Sequence, residues 1–258
     1  MALTKGDFIL INYTAKVKET NEVFDTTFEE TAKTAHLQKE GELYEPKLVV
    51  IGEGWVLKSL DESFPNMEID KESQVEIPPE KAFGPRDSEK VKRVHLRQIL
   101  EKGINPAVGM RIEFGGKNAT IRSIGAGRVL LDFNPPLAGR TLVYDIKINK
   151  KIETNDEKIA ALIHRRIPVT EIEKFKTIVE NNILTIEMPE DTYYLEGVQI
   201  AKRGISMDIQ KFFPDFTATK FIEIYQAPPK PSTESKPEAA EEEQTTTEAE
   251  NKVEEKTT

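Results

Sequence analysis

The segment Val23-Phe24-Asp25-Thr26-Thr27 sets one carboxylate among apolar and hydroxyl side chains. It follows a run from Asp7 to Val17 in which Ile9, Ile11, Tyr13, Ala15 and Val17 alternate. A lone carboxylate beside an aromatic ring supports two chemistries. It can cap a turn by accepting backbone hydrogen bonds, or it can be the one polar group at an apolar binding surface. Covalent and metal chemistry find little support. The chain has no cysteine, which removes disulfides, thiol catalysis and cysteine-based metal sites. His36, His95 and His164 lack metal-ligand spacing, so neither metal nor cofactor is expected. Gly52-Glu53-Gly54 lacks the third glycine of a dinucleotide fingerprint.

The elements that would hold these residues can be read from hydrophobic periodicity. The alternation before Val17 predicts a strand, Glu19 to Glu22 a turn, and residues 23–27 a second short strand. Residues 28–46 read as an extended polar loop with room for one helical turn. Lys47 to Ile51 is a short strand ending at Gly52. Val56, Leu57, Leu60 and Phe64 share one helical face, and Pro65-Asn66 should stop that helix. Val75 and Ile77 alternate in another strand, and Leu142, Tyr144, Ile146 and Ile148 in a further one.

Residues 86–138 carry their own strand signals at Met110, Ile112, Phe114, then Ala119, Ile121, then Val129, Leu131, Phe133. Gly115-Gly116 and Gly125-Ala126-Gly127 sit where hairpin turns belong. This module reads as an insertion, because the strand at Leu142 completes the first sheet. A third module starts near Ile152. Thr154 to Glu157 fits a helix-capping box, and Thr170 to Glu173 fits a second. Ile183 to Met188 reads as a strand, 191–213 as mainly helical, and Phe216 to Tyr225 as a last strand. The whole is α+β.

Four fragments in this order carry a family resemblance: Val23 to Thr27, Gly52-Glu53-Gly54-Trp55-Val56-Leu57, Lys81-Ala82-Phe83-Gly84 and Leu142-Val143-Tyr144-Asp145. Together they resemble the FKBP-type peptidyl-prolyl cis-trans isomerases, in the SlyD-like and archaeal long-type branch. The resemblance covers residues 5–150 and is weak beyond 151. It implies an antiparallel half-barrel sheet around one short helix, made of 1–85 and 139–151. It also implies an insert-in-flap chaperone domain at 86–138, with Asp132 to Gly139 as its return segment. A C-terminal α+β domain at 152–227, through which the chain dimerises, would follow.

What the resemblance implies for the site can be carried position by position. Tyr13 and Phe24 form walls, with Asp25 at the rim near the Tyr13 hydroxyl. Val56 and Leu57 line another wall, the Leu57 N–H holding a substrate carbonyl. Leu60 stands where many members have a tryptophan floor, Phe83 where they have tyrosine, and Tyr144 where they have phenylalanine. Losing the hydroxyl at Phe83 costs about 1 kcal/mol of hydrogen bonding and disfavours tight macrolide binding. Lys47 stands at a position that is usually apolar. Trp55 is not assigned to the floor. The nickel-binding, histidine-rich tail of the SlyD branch has no counterpart here.

Composition sets the remaining bounds. The chain has 258 residues, a formal net charge of -9 and 31% charged residues. Residues 227–258 hold nine Glu and four Lys, so much of the negative charge is there. Residues 228–258 have one aliphatic β-branched residue and no aromatic, and read as a disordered acidic tail. No basic stripe favours nucleic acid. No apolar run is long enough to span a membrane, and the N-terminus lacks a secretory-type apolar segment, so a cytoplasmic protein is expected. The expected function is isomerisation of X-Pro bonds in unfolded or proline-containing polypeptides. The insert would capture clients through Met110, Ile112, Ile121 and Leu130 by strand addition. A holdase or assembly scaffold with a vestigial isomerase site is the alternative, motivated by Lys47, Phe83 and Leu60.

Overall fold

Strand β1, Phe8–Val17, begins with four consecutive apolar residues and only then alternates. The reason lies in what flanks it. The computed structural model describes residues 2–39 and 41–226. The reading of 228–258 as a disordered tail falls outside them.

Strand β1 is the centre of a five-stranded sheet. It pairs antiparallel with β2 (Val23–Thr26) at one end, β3 (Lys47–Val50) at the other, and β9 (Leu142–Ile152) along its far edge. Strand β4 (Glu72–Ile77) closes the order against β9. The inner face of the sheet supplies Ile9, Ile11, Tyr13, Ala15 and Val17, which pack with Leu60 and Phe64 beneath a short helix. Helix α1 spans Glu29–Thr34 and lies in the loop between β2 and β3.

The helix predicted from Val56 onward is much shorter than expected. Helix α2 covers only Lys58–Asp61, and Phe64–Asn66 forms a separate 3₁₀ turn. Pro65 sits inside that turn, because its fixed φ and missing N–H suit the first positions of a helical turn.

The insertion lies between β4 and β9 in the chain. It holds β5 (Val91–His95), α3 (Leu96–Leu100), β6 (Arg111–Phe114), β7 (Lys117–Gly125) and β8 (Arg128–Asp132), in sheet order β5-β8-β7-β6. Both predicted turns are two-residue hairpins. Gly115 and Gly116 have φ of 62° and 73°, and Ala126 and Gly127 have 49° and 69°, the mirror-image geometry that matches strand twist. Ile99, Ile112, Ala119, Ile121, Val129 and Leu131 form a separate small core.

The C-terminal module has α4 (Asn155–Arg166), β10 (Lys176–Glu180), β11 (Ile183–Glu187), α5 (Val198–Phe212) and β12 (Ala218–Ile222). Strand β11 pairs antiparallel with β10 and parallel with β12. At the start of α4, Thr154 Oγ1 accepts the Glu157 N–H at 3.3 Å, as the capping pattern predicts. The second capping pattern fails. Thr170 is buried, and only a 3₁₀ turn forms at Ile172–Lys174, without a side-chain cap.

The four-residue apolar start of β1 now has its cause. Ile9 and Ile11 face the inner core, while Phe8 packs with Ile152, Ile159, Leu162 and Ile163 on the opposite face. The Phe8 and Phe212 rings meet edge to face at 5.1 Å. A strand end covered on both faces reads as an unbroken apolar run.

Candidate active site

Ala15 links the two strands that carry Asp25 and Tyr144. It opposes Asp25 on β2 and Tyr144 on β9, and it is fully buried. Its small side chain leaves space between larger neighbours on either side. Tyr13 points to the same face two residues away, so it is the diagonal neighbour of both. The Tyr13 hydroxyl donates to Asp25 Oδ2 at 2.6 Å. The rings of Tyr13 and Tyr144 lie 5.9 Å apart, and Phe24 meets Tyr144 edge to face at 6.1 Å.

The threonines of the segment hold Tyr13 by its backbone. Thr27 Oγ1 accepts the Tyr13 N–H at 2.9 Å, and the Thr27 N–H donates to the Tyr13 carbonyl at 3.0 Å. Both Thr26 and Thr27 are buried. Their hydroxyls are satisfied by Tyr13, which is why such polar residues are tolerated there.

Lys47 approaches from β3, whose register places it opposite Ile11. Its Nζ donates to the Tyr13 hydroxyl at 3.1 Å and lies 3.9 Å from Asp25. Tyr13 therefore accepts from a cation and donates to an anion. Burial raises the Tyr13 pKa, and the hydrogen bond to Asp25 adds to the rise. Burial and the Asp25 charge push Tyr144 up to about 12. Both phenols stay neutral at physiological pH.

The opposite side comes from the loop before α2. Leu60 is 2% exposed and forms the floor, while Val56 and Leu57 pack partly buried against the same cluster. Among the described residues, no hydrogen-bond acceptor takes the Leu57 N–H. Asp61 fixes this loop from below. Its buried carboxylate accepts the Gly52 N–H at 2.8 Å and the Gly54 N–H at 3.2 Å. Gly52 has φ +87°, and a Cβ there would lie 2.6 Å from the Lys5 side chain, so only glycine fits without displacement.

Seven of the eight predicted residues gather in or at one cluster. Tyr13, Leu60 and Tyr144 are core members, Phe24, Val56 and Leu57 pack against them, and Asp25 is joined through Tyr13. Phe83 stands apart at 43% exposure and lines a neighbouring cleft with Phe24. Trp55 turns away to the other face of the sheet, 5.9 Å from Phe212, with the Arg165 guanidinium 3.8 Å from its ring. Ala15, Thr27 and Asp61 were not singled out as site residues by sequence reasoning. Asp61 has no local signal in the sequence, since it stands inside α2 and reaches back to glycines seven and nine residues earlier.

Two family models match the chain. The FKBP26 IF domain matches residues 94–137, and the FKBP26 C-terminal domain matches residues 155–226. The chain is 33% identical over 146 residues to the short-type peptidyl-prolyl cis-trans isomerase of Methanocaldococcus jannaschii, covering 57% of this chain and 92% of that protein. The chain belongs to the FKBP-type peptidyl-prolyl cis-trans isomerases. Within this family of isomerases it is also 29% identical to SlyD of Treponema pallidum over 120 residues, covering 45% of this chain and 68% of SlyD. The FKBP-type 16 kDa isomerase of Escherichia coli is 23% identical over 145 residues, covering 54% of this chain and 87% of that protein. The FKBP-type half-barrel thus carries an insert and an additional C-terminal domain. Among the described residues, no helix is long and apolar enough to cross a membrane.

Proposed function

We propose that this chain accelerates rotation about X-Pro bonds, with Tyr13, Phe24, Asp25, Val56, Leu57, Leu60 and Tyr144 forming the site and Phe83 standing on the adjoining cleft. The uncatalysed barrier is about 18–20 kcal/mol and arises from amide resonance. No bond is made or broken, so no nucleophile is required. A site needs only to bind the twisted amide better than either planar form. The twisted amide is less polar, so an apolar pocket favours it. Lowering the barrier by about 5–6 kcal/mol speeds rotation about 10⁴-fold.

The observation that carries this reading is the Asp25 carboxylate at the edge of an apolar aromatic pocket, held by the Tyr13 hydroxyl at 2.6 Å. The prolyl ring would sit against Phe24, Leu60 and Tyr144. The Leu57 N–H would take a substrate carbonyl, and Asp25 would face the rotating amide. The test is turnover of a short X-Pro peptide by wild type, Asp25→Ala and Phe24→Ala. A wild-type rate equal to buffer would end the isomerase reading and leave the holdase alternative.

Capture of unfolded polypeptide by the insert is the second part of the proposal, and of the residues expected to support it Met110 is exposed, Leu130 is half-buried and Ile112 and Ile121 are not available. Ile112 and Ile121 are 5% and 0% exposed and belong to the insert's core. The exposed apolar side chains are Leu100, Val108, Met110 and Ile124. Met110 precedes β6, an edge strand suited to strand addition. Deleting 88–136 should leave peptide turnover in place and slow proline-limited refolding of a protein substrate. Equal rates on the unfolded substrate would remove the capture role.

Polypeptide rather than nucleic acid is the partner in this reading, and a cytoplasmic setting fits the cysteine-free composition. A homodimer through the C-terminal domain is supported by β10, an edge strand whose Ile178 and Val179 are about half exposed. Sedimentation of wild type and Ile178→Lys tests it; a monomeric wild type would exclude it.

A further inference from the structure

On the far side of Phe24 a cleft of about 520 Å³ opens between the half-barrel and the insert. Phe24 and Phe83 form its apolar wall. Arg111 from β6, Arg122 from β7 and Arg140 from the half-barrel segment just before β9 line the rest, and Glu22 is the one carboxylate among its described lining residues. Arg122 is already engaged. It donates to the buried Asp132 at 3.0 Å, which also receives Arg86 at 2.9 Å. Arg111 and Arg140 are exposed, and neither makes an ion pair with a described residue, although the Arg140 charge adds to the larger effect of the Thr141 N–H in holding the Glu19 carboxyl below its usual range. The cleft is therefore locally cationic on a chain whose formal net charge is -9.

Two facts connect this cleft to the site. Phe24 belongs to both the prolyl wall and the cleft wall, so the two surfaces are continuous. The two guanidiniums without an ion pair come from both modules, Arg111 from the insert and Arg140 from the half-barrel segment before β9, so they bracket the cleft. A polypeptide with its proline against Phe24 would have flanking residues running over the ring into this space. Apolar surface on one wall and unpaired guanidiniums on the other suit a side chain with a short apolar stem and a carboxylate head. Guanidinium is also the cation best shaped for paired hydrogen bonds to carboxylate.

We infer that this cleft is a specificity subsite that selects polypeptides carrying an Asp or Glu close to the X-Pro bond, with Arg111 and Arg140 as the selecting residues. The inference rests on the isomerase reading above. Ion pairs at an exposed cleft are weak one by one, so the effect is a preference and not an absolute requirement.

The experiment uses the full chain and a peptide series in which one Glu is moved along the residues flanking X-Pro. Each peptide is compared with its Gln and Lys counterparts. At one or more positions wild type should prefer Glu over Gln in kcat/KM by about threefold or more, the scale of one or two exposed ion pairs. Lys should be the poorest of the three. The Glu-to-Gln ratio should fall as salt rises. It should approach 1 in Arg111→Gln/Arg140→Gln and be partly retained in Arg111→Lys/Arg140→Lys. A wild-type ratio near 1 at every position overturns the inference while leaving the isomerase reading intact. So does a ratio that survives the double Gln variant. If no peptide is turned over above buffer, the isomerase reading fails and takes this inference with it.

Discussion

Lys47 and Asp25 face each other across the Tyr13 hydroxyl, their charged atoms 3.9 Å apart. Both side chains are a little over 40% exposed, so solvent screens their attraction. Their effect on Tyr13 is geometric. Because Lys47 donates to the hydroxyl, the hydroxyl's own proton is directed at Asp25. Lys47 is thereby a clamp on the orientation of the Asp25 carboxylate.

Breaking the Tyr13–Asp25 bond tests the site without dismantling the fold. Tyr13→Phe keeps the ring and the backbone bonds to Thr27, and removes only the hydroxyl. The expected outcome is a loss of about tenfold in kcat/KM, the scale of one hydrogen bond to a charged group. Asp25→Ala should lose at least as much. Peptide turnover with circular dichroism as a folding control checks both.

Thr27→Val replaces a buried hydroxyl with a methyl group of similar size. It leaves the Tyr13 N–H without its 2.9 Å acceptor. Stability should fall by about 1–3 kcal/mol, measured by urea unfolding. Because Tyr13 is then free to shift, kcat/KM should fall as well.

Ala15→Leu probes the packing between the strands that carry Asp25 and Tyr144. The position is fully buried between Asp25 and Tyr144. Added volume should cost about 1–3 kcal/mol and crowd the aromatic walls. Peptide turnover should drop more than stability alone explains, which denaturation and kinetics on the same preparation would reveal.

Asp132 ties the insert together and predicts acid sensitivity. Burial opposes its ionisation, yet hydrogen bonds from Asn134 and Arg122 and the Arg86 charge bring its pKa down to about 2. The folded pKa lies below the unfolded one. Its stabilisation is therefore complete above about pH 4 and is lost as pH falls through about 2. The contribution is about 2 kcal/mol. Asp132→Asn should flatten the stability–pH curve over that window, with the insert's unfolding as readout.

Tyr144 predicts the alkaline limit. Its folded pKa, about 12, exceeds that of an exposed phenol near 10. Stability from the neutral phenol is full below about pH 10 and is lost as pH rises towards 12. Tyr144→Phe should remove this part of the alkaline decline in thermal unfolding.

The order of residues along the chain accounts for the strands of the half-barrel, both hairpin turns of the insert and the Thr154 cap of α4. Those follow from local rules: period-two alternation, glycine at positive φ, and a threonine accepting an N–H three residues on. It also brought out Phe24 and Asp25, because their neighbours formed a recognisable order. The remaining features came from packing between distant elements. Lys47 became a partner of Tyr13 through strand register, which fixes contacts between residues far apart in the chain. Ile112 and Ile121 became core because the insert has its own sheet with one buried face. Trp55 faced the C-terminal domain because β1 and its neighbours are covered on both sides. A chain records which residues are apolar and which turn, but which face a residue meets depends on the element that packs against it.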